Sequence, residues 1–166
     1  MLKIAVVEDQ TEVRESLCQF IRQYAGEQGL QAEVEPFVDG AVIAEGYQPG
    51  HDIIFLDVEM PRLGGFGAAE RIRAVDPDVV LVFVTNMAQY AIKGYEVDAL
   101  DYVLKPVNYY QFCTKLSRAV QRVQRRRGGV QIDTLPALNA VHGLDYDYLY
   151  SADTLWRLQR ASSARI

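Results

Sequence analysis

Asp57 closes a short apolar run, Ile53-Ile54-Phe55-Leu56, and is followed by Val58-Glu59-Met60-Pro61. Three other apolar runs end in the same way. Ile4-Ala5-Val6-Val7 runs into Glu8-Asp9, Val80-Leu81-Val82-Phe83-Val84 into Thr85, and Tyr102-Val103-Leu104 into Lys105-Pro106. If these runs are strands of one parallel sheet, three carboxylates, a hydroxyl and an amine meet beyond its carboxyl edge, where open α/β sheets build ligand sites. Carboxylates that close cannot all stay ionised without a counter-charge. A hard cation supplies one, and Mg²⁺ takes one or two carboxylates together with waters and phosphate oxygens. A carboxylate can also act as nucleophile and form an aspartyl phosphate. In such a transfer the protein mainly positions groups and neutralises charge. The pattern therefore predicts Asp57 as acceptor, with a metal and Lys105 neutralising phosphoryl oxygens and the Thr85 hydroxyl donating to one of them.

The elements between these runs must bring their ends together. Strand and helix patterns alternate from Leu2 to about Arg127. Residues 2–7 read as a buried strand. Residues 11–24 read as a helix with Thr11 as N-cap and Val13, Leu17, Phe20, Ile21 and Tyr24 on one face. Residues 32–37 read as an edge strand, because Glu33 and Glu35 alternate with apolar neighbours. A short helix over 41–45 precedes the continuously apolar strand 53–56, which is expected to be central. Residues 61–65 form a turn, and a helix follows to Val75 with Phe66, Ala69, Ile72 and Val75 on one face. Asp76-Pro77-Asp78 ends it. Strand 79–84, a helix over 88–95 weakened by Gly94, and strand 102–104 come next. Asn108 caps a last helix with Phe112, Leu116, Val120 and Val123 inward. Strands alternating with helices through short connections predict a parallel sheet covered on both faces, with right-handed crossovers.

The chain has 166 residues, 49% hydrophobic and 23% charged, with a formal net charge of −5. That composition is globular and exerts no general pull toward nucleic acid or membrane. No apolar stretch approaches the ~18 residues that span a bilayer, and the N-terminus begins a strand without a signal-peptide pattern. The expectation is a cytoplasmic protein with no membrane partner. Cys18 and Cys113 stand far apart within helices and read as reduced thiols. His51 and His142 are isolated and read as surface or turn residues, without ligand spacing around them. Arg118, Arg122, Arg125, Arg126 and Arg127 place positive charge toward the end of the last helix, where it complements the macrodipole. Gly128-Gly129 after them reads as a flexible linker.

Jointly, Glu8-Asp9, Asp57 with Met60-Pro61 and Gly65, Thr85, and Lys105-Pro106 resemble the receiver domain of two-component response regulators over residues 1–127. The resemblance implies a flavodoxin-like (βα)5 fold: a doubly wound parallel five-stranded sheet in the order 2-1-3-4-5. It implies that Asp57 accepts a phosphoryl group from a sensor histidine kinase. Mg²⁺ would be held by Asp9, Asp57 and the backbone carbonyl of Glu59, with Glu8 acting through water. Thr85 and Lys105 would contact the phosphoryl group. Thr85 and Tyr102 would form a switch that alters the face made by the fourth helix, fifth strand and fifth helix, through which a homodimer would form. No turnover of an external substrate is implied. Many receivers carry a small residue after the threonine; Asn86 stands there, which bears on the dephosphorylation rate.

The stretch from Thr85-Asn86-Met87 through Asp98-Ala99-Leu100-Asp101-Tyr102 resembles, more narrowly, the LytTR (LytR/AlgR) class of transcription regulators, whose output is a mostly β DNA-binding domain. A domain of that kind needs about a hundred residues. Residues 128–166 are therefore expected to be a linker and a remnant of such an output domain, or a disordered tail. DNA binding is expected only where a complete output domain is present.

Other functions fit less well. A haloacid-dehalogenase-type phosphatase also uses a strand-end aspartate and Mg²⁺. It needs a second aspartate two residues on, where Glu59 stands, and a hydroxyl residue where Pro61 stands. A flavodoxin-like flavin binder would place its phosphate in the first strand–helix loop, where Glu8-Asp9 repel it. A receiver acting through protein contacts without phosphorylation is the remaining alternative.

Overall fold

The structure is a computed structural model and describes residues 1–128. Gly128, expected in the linker, closes the last helix; the expectations for the rest of the linker, the tail and His142 lie outside the described residues. Five strands, β1 (Leu2–Val7), β2 (Ala32–Phe37), β3 (Ile53–Asp57), β4 (Val80–Thr85) and β5 (Asp101–Leu104), form one parallel sheet in the order β2-β1-β3-β4-β5. The helices are α1 (Thr11–Glu27), α2 (Gly40–Ala44), α3 (Gly65–Val75) and α4 (Tyr109–Gly128). This is the flavodoxin-like doubly wound fold. Its strand order reverses at β1, so the crevice beside β1 and β3 is the topological switch point.

Two apolar clusters cover the two faces of the sheet. On one, Ile4, Val6, Phe55, Val82 and Val84 pack against Leu17 and Ile21 of α1 and Phe112, Leu116, Val120 and Val123 of α4. On the other, Ala5, Val7, Ile54, Leu56, Leu81 and Phe83 pack against α2 and α3. Central strands buried on both sides carry apolar residues at every position, which is why β3 and β4 read as unbroken runs. β2 is an edge, and its Glu33 and Glu35 are exposed as their alternation requires. The Asn108 side chain caps α4 by accepting from the Gln111 N–H at 2.9 Å. No helix among the described residues is long and apolar enough to cross a membrane.

Three expectations are corrected. The helix expected over 88–95 is instead two 3₁₀ turns, Ala88–Ala91 and Lys93–Val97, followed by Asp98 in the left-handed region at φ 52°. Gly94 interrupts helical propensity there, and tertiary bonds hold the tighter path. Arg73 donates to the carbonyls of Val97 (2.9 Å), Pro77 (2.8 Å) and Val79 (2.9 Å), and Ala99 N–H donates to Gly94 at 3.0 Å. Thr11 is the first helical residue rather than a cap, and its hydroxyl accepts from Arg14. Val75 is 52% exposed; Ala68 lies inward in its place, because α3 is rotated to seat small residues on the sheet. His51 lies in the loop before β3, as a turn residue should, and is half-buried there. Its side chain is 15% exposed, bonded to Glu35 at 2.8 Å, with its ring beside Phe37 and Tyr47.

The Phe112 ring is fully buried between Phe20 and Phe55, with centroids 5.9 and 4.9 Å away. Phe112→Ala should lower stability by about 3–5 kcal/mol, read as a shifted urea midpoint with little change in slope. A midpoint within error of wild type would show that α4 does not anchor this face.

Candidate functional site

The strand register brings the polar ends together. Val7 pairs with Leu56, which sets Glu8 level with Asp57; Asp57 pairs with Val84, which puts Thr85 one step beyond; Thr85 pairs with Leu104, which puts Lys105 one step further. Lys105 N–H donates to the Thr85 carbonyl at 2.8 Å, and the Lys105–Pro106 peptide is cis. The lysine side chain turns back over the sheet edge, where Nζ lies 2.7 Å from Glu8 Oε2 and 3.3 Å from Asp57 Oδ1. Glu8 is fully buried and Asp57 is 4% exposed. Gln10 N–H donates to Glu8 Oε1 at 3.0 Å, and Glu59 N–H to Asp57 Oδ1 at 3.4 Å.

These carboxylates sit in a medium that opposes their charge. Burial pushes Glu8 up to about 7 against the hydrogen bonds from Lys105 and Gln10. Burial also raises Asp57, with Lys105 opposing. For Lys105, burial alone would lower the pKa, but the bond to Glu8 and the charge of Asp57 outweigh it and the pKa rises. One ammonium thus serves two buried carboxylates, and the more open Asp9 stands beside them as a third carboxylate. Ligand oxygens of Glu8, Asp9 and Asp57 lie within 4.8 Å of one another, and Asp9 Oδ1 is buried without a hydrogen-bond partner. An all-oxygen donor set short of positive charge, with one oxygen unsatisfied, fits a hard divalent cation.

The cluster opens into a cleft of about 500 Å³ lined by Asp9, Gln10, Asp57, Val58, Glu59, Met60, Pro61, Asn86 and Lys105. Glu8 lies beneath it. Thr85 is buried, and its Oγ1 accepts from Met87 N–H at 3.1 Å, so its own proton remains for donation. Tyr102 is apart from the cleft. It is half-buried on β5, packs against the α3-side core, and has Lys115 Nζ 5.7 Å from its ring centre. The structure therefore joins Glu8, Asp9, Asp57 and Lys105, lines the mouth with Glu59, sets Thr85 behind them, and leaves Tyr102 at a distance.

Sequence reasoning missed Asp39. Its carboxylate accepts from Ala41 N–H (2.9 Å), capping α2, and from Arg62 and Leu63 N–H (3.0 Å each), pinning the loop after Asp57. These bonds outweigh burial and hold Asp39 below its ordinary pKa. The Asp39-Gly40 pair ahead of a short apolar helix was a readable cap signal; the loop contacts, 23 and 24 residues away, were not. Gly65 closes the same loop. Its N–H donates to Val58 at 3.0 Å, and a Cβ there would stand 2.2 Å from the Asp57 carbonyl oxygen.

Fold and site together define a doubly wound α/β protein with an acidic, cation-seeking cleft at its switch point. The family model for the response regulator receiver domain matches residues 4–117, and the chain belongs to that family. It is similar to the transcriptional regulatory protein BtsR of Escherichia coli, 30% identical over 138 residues, covering 82% of this chain and 54% of BtsR. It is also similar to the sensory transduction protein LytT of Bacillus cereus, 32% identical over 124 residues, covering 75% of this chain and 49% of LytT. The chain spans about half the length of the curated relatives it matches. Among solved structures, the response regulatory domain of mrkE from Klebsiella pneumoniae superposes with a TM-score of 0.66 at 27% identity, covering 75% of this chain and 99% of that one. The response regulator TrrA of Thermotoga maritima, in complex with Mg²⁺-BeF, gives 0.61 at 26% identity, covering 72% and 99%.

The raised Glu8 pKa links stability to pH. The group titrates at 4.5 ordinarily and at about 7 in the folded chain, so between those values the folded chain holds a proton that the unfolded chain has released. Its stabilising contribution is complete below the ordinary value and is lost as pH rises through the folded one. Without divalent metal, melting temperature should fall across that window, and Glu8→Gln should flatten the fall. Mg²⁺ should raise the melting temperature more at the alkaline end than at the acid end. An equal Mg²⁺ effect at both ends would refute competition between proton and metal.

Proposed function

We propose that Asp57 is the phosphoacceptor of a receiver served by a sensor histidine kinase. The observation that carries this reading is the Lys105-bound Asp57 carboxylate beside Glu8 and Asp9, with Asp9 Oδ1 unsatisfied. An Asp57 oxygen forms the new bond to phosphorus as the donor's bond to phosphorus breaks and the donor leaves with its electron pair. Lys105 stands beside Asp57 and is placed to pair with a phosphoryl oxygen. Thr85 supplies its free proton to another. Asp9, Asp57 and the Glu59 carbonyl would hold Mg²⁺, with Glu8 behind them. Bound there, the ion supplies positive charge against the phosphoryl oxygens.

The consequence is a shift between two conformations rather than a new fold. Thr85 and Tyr102 are the switch pair in this reading, and the altered face comprises the 3₁₀ segment, β5 and α4, with a homodimer as one outcome. Residues 1–127 act as the receiver domain. Residues 128–166 are a linker and a remnant of a LytTR-type output domain, or a disordered tail; the similarity to BtsR and LytT supports the former. Transcriptional control through DNA then belongs to a chain with a complete output domain.

Intact-mass measurement after incubation with a small phosphodonor tests the acceptor. One phosphoryl adduct should form with Mg²⁺, be nearly absent without it, and be absent from Asp57→Asn. No adduct, under conditions that label a control receiver, would make this a phosphorylation-independent module. Continued release of phosphate from an added ester would make it a phosphatase.

A further inference from the structure

Arg14 lies on the first turn of α1, away from the strand ends, yet it reaches the acidic turn. Its Nη1 donates to the Glu8 carbonyl at 2.9 Å and the Asp9 carbonyl at 3.4 Å, and its Nη2 donates to Thr11 Oγ1 at 3.3 Å. Its own backbone N–H donates to the Gln10 carbonyl at 2.9 Å. Glu8 N–H is tied to the Phe37 carbonyl at 3.0 Å, so the turn is held from both ends. One guanidinium thereby grips the backbone of the two residues that carry two of the three clustered carboxylates.

The choice of acceptor separates two roles. Lys105 binds carboxylate oxygens and balances charge. Arg14 binds carbonyls and a hydroxyl, which is an orienting pattern. A cation beside an acidic cluster also repels an arriving metal ion, so the two effects of Arg14 oppose each other. The guanidinium is a rigid planar fork suited to holding several acceptors at once. Groups that orient metal ligands commonly set affinity. We infer that Arg14 is a positioning residue for divalent-cation binding, holding the Glu8-Asp9 turn so that the Asp9 carboxylate stays within reach of Asp57. This rests on the reading that Mg²⁺ binds at the cluster.

The test is a calorimetric Mg²⁺ titration of the full chain and of Arg14→Lys and Arg14→Met, with amide spectra and melting curves as folding controls. Arg14→Lys keeps the charge and loses the fork; it should weaken Mg²⁺ binding roughly tenfold. Arg14→Met should weaken it at least as much, although it removes a repelling charge. Arg73→Lys loosens a comparable set of carbonyl bonds remote from the cleft and should leave the affinity unchanged. Unchanged affinity in both Arg14 variants overturns the inference while leaving the cleft's metal binding intact. So does tighter binding in Arg14→Met, which would mean that charge outweighs orientation, and so does equal weakening in Arg73→Lys. Should Arg14→Met fail to fold, Arg14→Lys decides. A wild-type chain that takes up no Mg²⁺ removes the reading of the cleft, and this inference with it.

Discussion

The ammonium of Lys105, buried between Glu8 and Asp57, is the interaction on which the rest of the site depends. Buried carboxylates this close are unfavourable without a counter-charge. Removing one partner of a buried ion pair typically costs about 3–5 kcal/mol, because the other charge is left uncompensated. The lysine meets only part of the demand. Glu8 and Asp57 are both held above their ordinary pKa, and one Asp9 oxygen has no partner. A cleft left in that condition has unspent affinity for a cation.

Geometry keeps the cluster in place. Successive pairings along β1, β3, β4 and β5 step the polar residues around the sheet edge, and the loops that complete the site start directly from those strand ends. The loop after Asp57 is fastened twice, by Asp39 and by the close approach of Gly65 to the Asp57 carbonyl. The turn before α1 is fastened by Arg14. The two 3₁₀ turns beyond β4 contrast with this. Ala88, Gln89, Lys93 and Glu96 are exposed there, and Ile92 at their junction is 71% exposed. Their firm attachment is at the far end, where Arg73 grips Val97.

Much of this was legible in the chain itself. Strand-end residues declare themselves because a buried parallel strand tolerates polar groups only where it leaves the core, and Asp57, Thr85 and Lys105 all stand at such points. The inward faces of α1 and α4 were legible because Leu17, Ile21, Phe112, Leu116, Val120 and Val123 repeat at helical spacing. The segment over 88–95 was misread because helical spacing is a local signal, while its 3₁₀ path is held by Arg73 and by the Gly94–Ala99 bond. The contacts of the loop residue His51 were not legible for the same reason: nothing adjacent in the chain announces Phe37 and Glu35.

By itself the sequence determined the alternation of strand and helix, the apolar faces and the polar residues at the strand ends, since each follows from local periodicity and from the cost of burying an unpaired polar group. Only the tertiary structure decided that Lys105 binds Glu8 more closely than Asp57, that Asp39 holds the loop beyond β3, that Arg14 grips the acidic turn, and that Tyr102 stands apart from the cleft. Those facts depend on distances between residues far apart in the chain, and such distances exist only once the sheet has assembled.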